Sequence, residues 1–314
     1  MRIARLAEEN PRTQGPERRV WYRRHSPAHL RAVATLVDDA LAARSAGGPS
    51  RAVVLGAGAC TEAPLERIAR SFEQVLLVDV DVPGMARARD ELSASLRGRV
   101  DLLQADITGG VSDALAEELR AQPWRDLARL SATAPLDAAA SCLERCPVPD
   151  PPRLPGLPGL PAQGYSLVFS DLALTQLFSL PLLDVVDTLS LYAPGAVDLR
   201  ETHPRYRQAA QTFRRRIALA HLSLLAGMLA PEGAAILASD RTGHLLPPKS
   251  GPHARDPRET LTVLPDEVLG IPADLASRFQ LVGAPRAWEW LVSAPDATNF
   301  GRMYEAVGVV LRCK

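Results

Sequence analysis

Apolar residues along this chain are grouped in short unbroken runs, separated by longer stretches in which they recur every three or four positions. The segments 51–55, 75–78 and 100–103, which are apolar apart from Arg51 and Asp101, each lead into a turn and then into a stretch with helical spacing. Unbroken apolar runs of this length are typical of strands that are covered on both faces. The pattern therefore predicts three strand–turn–helix units, and with them the parallel sheet of an α/β protein.

The remaining segments extend this sheet and close it in a different way. Two further strands and an antiparallel hairpin are predicted at 165–169, at 234–238, and at 287–292 with 304–311. Ser26-Pro27 predicts the start of a helix that Gly47-Gly48-Pro49 ends, whereas the polar residues 1–20 are expected to be mobile until they dock. The other predicted helices cover 62–71, 83–96, 112–121, 124–131, 172–189 and 204–229.

Proline accounts for 27 of the 314 residues and is concentrated between the predicted elements, chiefly in 147–161 and 231–257. We therefore predict an α/β fold with a doubly wound, mostly parallel seven-stranded sheet, an antiparallel C-terminal hairpin and proline-rich insertions. Residues 1–49 would form an N-terminal arm and capping helix, and residues 50–314 one Rossmann-like domain. The insertions in that domain are expected at 110–163, 180–203 and 243–285.

Charge and composition exclude several classes of protein. The chain has 36 basic and 36 acidic residues, so a global attraction to nucleic acid or to an anionic membrane is not expected. Residues 1–31 nevertheless hold eight Arg and three Glu, which leaves open a nucleic-acid-binding arm or a segment docked on its own domain; we favour docking. No run of roughly 18 uninterrupted apolar residues and no apolar leader occurs, so we expect a cytoplasmic protein without a membrane partner. The oligomeric state is left open.

The four cysteines, Cys60, Cys142, Cys146 and Cys313, are too few for a disulfide scaffold in a chain of this length. The Cys142-x3-Cys146 pair has no second Cys/His pair at the spacing of a zinc site. We therefore predict no metal centre.

The first strand leads directly into Gly56-Ala57-Gly58, where two glycines allow a tight turn and a close approach of the backbone to a ligand. Asp79 ends the second strand about 20 residues later, the position from which a carboxylate accepts hydrogen bonds from ribose hydroxyls. Asp106 follows the third strand. The alternative is that Asp79 and Asp106 cap helices.

The sequences Val53-Val54-Leu55-Gly56-Ala57-Gly58, Leu77-Val78-Asp79 and Gln104-Ala105-Asp106-Ile107 resemble the class I (Rossmann-like) S-adenosylmethionine-dependent methyltransferases. The resemblance covers about 50–312, and the phrases 58–65 and 170–177 also resemble an uncharacterised bacterial subgroup of that family. It implies S-adenosyl-L-methionine as cofactor, with the glycine turn beside the methionine part, Asp79 at the ribose, Asp106 at the adenine amine and Ile107 beside the adenine. The implied cofactor site comprises Gly56, Ala57, Gly58, Asp79, Val80, Asp106, Ile107 and Ser170.

Two departures from the family pattern affect this interpretation. Cys60 stands where a third glycine is usual, which narrows the space near the cofactor or shifts the start of the next helix. The fourth strand leads into Ser170-Asp171-Leu172 and not into the Asn/Asp-Pro-Pro-Tyr of enzymes that methylate exocyclic amines of bases or glutamine. Methylation by that route is therefore disfavoured.

The predicted function is transfer of a methyl group to an unidentified small-molecule acceptor. The alternatives are a non-catalytic S-adenosylmethionine-binding protein of the same fold and an NAD(P)-dependent oxidoreductase. Candidates for a catalytic base are His29, Asp171, Gln176 and His244, because they follow strand ends or lie on the capping helix. Trp21 and Tyr22 would stack on a ligand or pack on the sheet's helices.

Overall fold

The computed structural model of the chain describes residues 16–44, 50–154, 164–250, 259–262, 278–297 and 300–314. The predicted helix stop at 47–49 and part of the proline-rich stretch 147–161 lie outside these residues. The chain divides into two compact units. The first comprises Met1–Ala105, Pro155–Thr175 and Leu225–Lys314, and the second comprises Asp106–Leu154 and Gln176–Leu224.

The first unit is built on one sheet, which has nine strands in the part of the chain that the structure describes. The strands are β1 (Arg51–Leu55), β2 (Gln74–Asp79), β3 (Val100–Gln104), β4 (Tyr165–Asp171), β5 (Leu229–Leu246), β6 (Glu259–Thr262), β7 (Phe279–Leu281), β8 (Arg286–Ser293) and β9 (Gly301–Cys313). Seven of them form a continuous path in the order β3-β2-β1-β4-β5-β9-β7, while β6 pairs with β5 and β8 pairs with β9. Strands β1 to β5 pair in parallel, and β9 runs antiparallel to β5 and β8. This confirms the predicted mostly parallel sheet and its antiparallel C-terminal hairpin, while the described residues form nine strands where seven were predicted.

One face of this sheet carries a core of alternate strand residues. Val54, Leu77, Phe169 and Ile236 point from neighbouring strands into the same buried cluster. The helices on that face are α1 (Pro16–His25), α2 (Pro27–Ala43), α3 (Leu65–Ser71), α4 (Val82–Asp90) and α5 (Ala94–Arg97), of which α2, α3, α4 and α5 contribute buried residues to the cluster. The period of two along the strands and of 3.6 along the helices explains why the hydrophobic pattern located most of these elements.

Three helix boundaries in the first unit differ from the prediction. Residues 1–20 were expected to be mobile until they dock, but the helix α1 (Pro16–His25) begins within them. The helix after the glycine turn starts at Leu65 and not at residue 62, because residues 59–64 continue the loop. The predicted helix 83–96 is two helices, α4 and α5, separated at residues 91–93.

Strand β5 is much longer than the predicted 234–238, since it spans 18 residues. It includes Pro231-Glu232-Gly233, which were expected to end the preceding helix. Its second half pairs with β9 and β6, so part of the predicted insertion 243–285 is regular sheet. Strand pairing to a distant segment of the chain cannot be read from local periodicity, and this is why the extension was missed.

The second unit is helical in the described residues. Its helices are α6 (Val111–Arg120), α7 (Trp124–Leu130), α8 (Ala134–Arg145), α9 (Leu174–Tyr192, from Gln176 onward), α10 (Pro194–Val197) and α11 (Pro204–Met228, up to Leu224). Helix α8 lies in a stretch for which no helix was predicted. Its Glu144 accepts hydrogen bonds from Arg205 of α11, with a shortest distance of 2.8 Å. The predicted insertions at 110–163 and 180–203 fall largely in this unit.

Helix α9 is long and apolar enough, by length and composition, to cross a membrane, and about 39% of its most apolar window is buried. Core helices of soluble proteins meet the same criterion, so this is weak support for a membrane span. Phe178, Val185 and Leu189 are buried and share one side of the helix, while Leu191 is exposed.

Candidate functional site

The carboxyl ends of the central parallel strands bring the glycine turn and two carboxylates into one row. Leu55 of β1 is in register with Val78 of β2 and with Ser170 of β4. One position further along each strand come Gly56, Asp79 and Asp171. Adjacent strands are about 4.8 Å apart, so the two aspartates stand about 10 Å from each other across the glycine turn.

The turn after β1 is tied to β2 through its backbone. The amides of Gly56 and Ala57 both donate to the carbonyl of Val78, at 2.9 and 3.2 Å. Gly56 and Gly58 have φ values of 67° and 44°, in the left-handed region that glycine adopts without strain. The sequence therefore needs glycine at these two positions for a conformational reason.

Cys60 completes this turn in the conformation that a third glycine would adopt. Its φ is 49°, and its amide donates to the carbonyl of Ala57 at 2.7 Å. The side chain is buried, and burial raises the pKa of the Cys60 thiol to about 12. The replacement of glycine by cysteine thus keeps the turn and adds apolar contact beneath it, while the helix start is shifted to Leu65.

Asp79 connects the glycine turn to the loop after β2. Its Oδ2 accepts from the Gly58 amide at 2.9 Å, and its Oδ1 accepts from the Asp81 amide at 2.8 Å. Burial raises the pKa of the Asp79 carboxyl, and the two backbone hydrogen bonds oppose that rise. Each oxygen retains acceptor capacity, because a carboxylate offers about four lone-pair sites. Val80 is half-buried beside it.

The capping role considered for Asp79 belongs to Asp81. Asp81 is the N-cap of α4 and accepts from the Gly84 amide at 2.9 Å. A Cβ on Gly84 would lie 2.2 Å from the Asp81 carboxylate and 3.1 Å from the Ala59 amide. The start of α4 therefore packs tightly against both Asp81 and the glycine turn.

Asp106 belongs to the second unit and uses both oxygens locally. Oδ1 accepts from the Thr108 amide and hydroxyl, at 2.8 and 2.7 Å, and Oδ2 accepts from the same hydroxyl and from the Gly110 amide. Asp106 thus closes the turn before α6, whereas the helix-capping role considered for it is not seen, since the N-cap of α6 is Gly110. Ile107 is buried next to it. The predicted adenine contacts of both residues stay predictions.

The end of β4 places a carboxyl group where solvent does not reach it. Ser170 is fully buried, and both carboxylate oxygens of Asp171 are shielded. Burial, and next to it the charge of Glu62, raise the pKa of Asp171 well above its usual range. Leu172 then turns the chain with a φ of 53° and donates its amide to the Ala238 carbonyl of β5 at 2.9 Å.

Sequence reasoning missed Glu62 and Arg18 as site residues, because Glu62 was assigned to a helix and α1 was not predicted, whereas Tyr22 had been named as a residue that could stack on a ligand. Thr61 and Tyr22 hydrogen-bond to Glu62, and burial raises the pKa of this carboxyl. Arg18 donates to the Tyr22 hydroxyl at 2.9 Å, with its guanidinium 4.6 Å from the centre of the ring. The available signal for Glu62 was the polar pair Thr61-Glu62, which follows shortly after the glycine turn.

His29 lies in an aromatic cluster formed by α1, α2, β8 and β9, and not in an open site. It has 0% exposure, accepts a hydrogen bond from Trp288 at 2.8 Å and stacks on Trp290 with centroids 5.2 Å apart. Burial lowers the pKa of His29 to about 3. An inaccessible imidazole of this kind is unsuited to take a proton from a substrate, so we no longer propose it as a base. Tyr22 packs on the same Trp290.

The other base candidates lie on α9 and in the extension of β5. Gln176 is exposed on α9 in the second unit. His244 lies within the extension of β5, where it pairs with β6 and β9 and its Nε2 is 3.5 Å from Glu305. Asp240, nearer the parallel part of β5, accepts a short hydrogen bond from Thr175, and burial raises its pKa. Among the described residues, no group of three or more His, Cys, Asp and Glu side chains could hold a metal ion.

A cavity of about 660 Å³ lies beside the glycine turn in the first unit. Cys60, Thr61 and Glu62 line it from the turn, Arg19 lines it from α1, and Glu91 lines it from the end of α4. Arg19 forms an ion pair with Glu91 and donates to the Ala59 carbonyl at 2.6 Å. Helix α1 is thus anchored to the turn, as the docked arm predicted.

No protein-family model and no curated protein sequence matches the chain. Among solved structures it is similar to a SAM-dependent methyltransferase from Aquifex aeolicus, with 11% identity, 97% of each chain covered and a TM-score of 0.38. It is also similar to a SAM-dependent methyltransferase described as putative from Listeria monocytogenes, with 9% identity, 88% and 98% coverage and a TM-score of 0.36. A third is precorrin-6y C5,15-methyltransferase from Geobacter metallireducens, with 10% identity, 90% and 87% coverage and a TM-score of 0.34. At these identities and TM-scores, the function must be argued from the site itself.

Proposed function

We propose that the first unit binds S-adenosyl-L-methionine at the glycine turn and that the protein transfers its methyl group to a small-molecule acceptor. The observation that carries this proposal is the Gly58–Asp79 hydrogen bond, which holds a glycine turn and a carboxylate side by side at the carboxyl end of the sheet.

The strand order supports a ligand at this edge. The chain runs outward from β1 through β2 to β3 and then returns to β4 on the other side of β1. In open α/β sheets, ligands bind in the crevice outside the carboxyl ends of the strands at such a reversal. The turn after β1 and the end of β4 are the two segments on either side of it.

The residues present fit the cofactor's ribose. Asp79 is held by two backbone amides and keeps lone pairs for the two hydroxyls of the ribose. Gly56 and Gly58 leave the turn without side chains where the methionine part would pass.

Methyl transfer makes few demands on the side chains. The bound cofactor supplies a methyl group activated by a sulfonium. The protein must align an acceptor with it and exclude water, and orientation alone is worth an effective molarity of about 10⁵–10⁸ M in favourable cases. Tyr22 of α1 packs with Leu172 and Trp290 at the carboxyl end of β4. We keep Asp171 as the candidate base, because its raised pKa makes it more basic than an ordinary carboxylate. The 660 Å³ cavity is within the size range of small-molecule sites.

Calorimetric titration with S-adenosylhomocysteine and, separately, with NADH tests the proposal against an oxidoreductase. We expect saturable binding of S-adenosylhomocysteine and no binding of NADH. The opposite result would overturn the proposal. Binding of S-adenosylhomocysteine without methyl transfer to any member of a broad acceptor panel would favour the non-catalytic alternative.

A further inference from the structure

Asp171 is a buried acid for which the described part of the chain provides no counter-charge. Neither carboxylate oxygen accepts a hydrogen bond from the described residues, and both are shielded from solvent. Buried carboxylates are nearly always paired or hydrogen-bonded, because an isolated buried charge is costly. An acid kept in this state at the end of a central strand can accept a partner from outside the described residues.

Glu62 is the second acid at this place. Its charge acts on Asp171, so the two carboxyl groups are neighbours although they come from β4 and from the loop after β1. The charged or titratable groups that act on Glu62 are Arg18 and Tyr22 of α1. One cation, Arg18, therefore stands against two acids. Its charge lowers the pKa of Glu62 and is not among the causes that shift the pKa of Asp171.

The surroundings of the pair favour an organic cation over a hydrated metal ion. Tyr22 bonds to Glu62 and packs with Leu172 and Trp290 in one apolar cluster. Aromatic rings attract ammonium groups through their faces, whereas carboxylates neutralise the charge. Glu62 also lines the 660 Å³ cavity, so this member of the pair borders a space of small-molecule size.

We infer that Glu62 and Asp171 bind the protonated amine of a small organic ligand, with Tyr22 beside it. As a binding site this goes beyond the proposed function. As an assignment of the acceptor to the class of aliphatic amines, it rests on that function. A protonated amine has no lone pair, so it would first give a proton to one of the two carboxylates, and the neutral nitrogen would then take the methyl group as the sulfonium's carbon–sulfur bond breaks. Such amines are charged and basic, unlike the exocyclic amines of bases, so the absence of the Asn/Asp-Pro-Pro-Tyr sequence does not oppose them.

The test is calorimetric titration of the whole protein with benzylamine, with benzyl alcohol as the neutral ligand of matched shape. We expect benzylamine to bind and benzyl alcohol not to bind. Asp171→Asn and, independently, Glu62→Gln should each weaken benzylamine at least tenfold. Asp101→Asn, at an exposed position of β3, is the matched control and should leave the affinity unchanged. Equal binding of the alcohol, or unchanged affinity in both site variants, would overturn the inference.

Proton release provides a readout that does not depend on activity. Both carboxyl groups have raised pKa values in the free protein, and an ammonium group stabilises their ionised forms. Binding in buffers of different ionisation enthalpy should therefore show protons released in the wild type and fewer released in Asp171→Asn. Binding without proton release would contradict the pairing.

A second series in saturating S-adenosylhomocysteine distinguishes the source of the amine. Undiminished benzylamine binding would identify the amine of a separate acceptor. Loss of benzylamine binding in S-adenosylhomocysteine, together with weaker S-adenosylhomocysteine binding by Asp171→Asn, would identify the ammonium of the cofactor itself as the natural ligand. Either result supports the amine site. If S-adenosylhomocysteine fails to bind while benzylamine binding requires Asp171, the proposed function fails and this inference stands.

Discussion

At the scale of single residues, two aspartates that look equivalent in the sequence have different surroundings. Asp79 and Asp106 each follow a parallel strand, and the sequence predicted a ligand contact for both. Asp79 reaches across to the neighbouring turn at Gly58, whereas Asp106 closes its own turn on Thr108. A carboxylate takes one role or the other depending on its side-chain rotamer and on the neighbouring loop. The spacing of residues along the sequence specifies neither.

Asp79→Ala should weaken S-adenosylhomocysteine binding by about ten- to a hundredfold. The reason is that a hydrogen bond to a charged group is worth about 1.5–3 kcal/mol, and a tenfold change in affinity corresponds to about 1.4 kcal/mol. Asp79→Asn, which keeps one carbonyl acceptor, should lose less. Calorimetry of both variants, with a thermal melt to check folding, measures this, and an affinity unchanged by the alanine would remove the ribose assignment.

Asp171→Asn should stabilise the ligand-free protein progressively as the pH rises. The folded pKa of Asp171 is raised above its unfolded value near 3.9, so the unfolded state gives up this proton first. Wild-type stability is therefore lost as the pH rises from about 4 towards the folded pKa, by up to about 1.4 kcal/mol for each pH unit. Urea unfolding of both proteins at pH 4, 5, 6 and 7 measures the difference, and a constant difference over this range would show that Asp171 ionises normally.

At the scale of elements, the strands were predictable and the loops that carry the site were only partly so. An unbroken apolar run located β1 at its observed bounds, because burial on both faces leaves little choice of residue. Helix α1 escaped prediction, since its charged sequence has only a few apolar positions to set a period. The site residues Arg18 and Glu62 were missed with these segments, whereas Gly58 and Asp79 were found because a tight turn and a strand end constrain residue type.

Ser26 illustrates how tertiary context changes the role of an element boundary. It occupies the predicted N-cap position of α2 but makes no side-chain capping bond there. Its hydroxyl instead donates to the Leu291 carbonyl of β8 and accepts from the Leu291 amide, both at 3.0 Å. The junction of α1 and α2 is therefore fixed to the C-terminal hairpin.

Ser26→Ala should lower the free energy of unfolding by about 1–3 kcal/mol, because it leaves two part-buried backbone groups of Leu291 without that partner. Ser71→Ala is the matched control, since its hydroxyl bonds only within its own helix near the surface, and it should cost much less. Urea unfolding monitored by tryptophan fluorescence compares them. Equal losses in the two variants would mean that the junction contributes nothing specific.

At the scale of the whole molecule, buried cysteine thiols are found in both units. Cys60 lies in the first unit and Cys142 and Cys146 in the second, all three as free and buried thiols. Burial raises the pKa of Cys60 to about 12 and of Cys142 and Cys146 to about 11. Cys313, near the chain end in β9, is only half-buried.

These thiols report on the integrity of both units in one experiment. The thiolate is the reactive form and must also be reached by the reagent, so the three buried cysteines should react only through local or global opening. At pH 8 we expect a disulfide reagent such as dithionitrobenzoate to modify Cys313 quickly and the other three slowly, with all four modified in denaturant. Mass spectrometry of the labelled peptides assigns each rate. Rapid modification of Cys142 or Cys146 in the native protein would show that the helical second unit opens more readily than its buried core implies, whereas rapid modification of Cys60 would place an opening at the glycine turn itself.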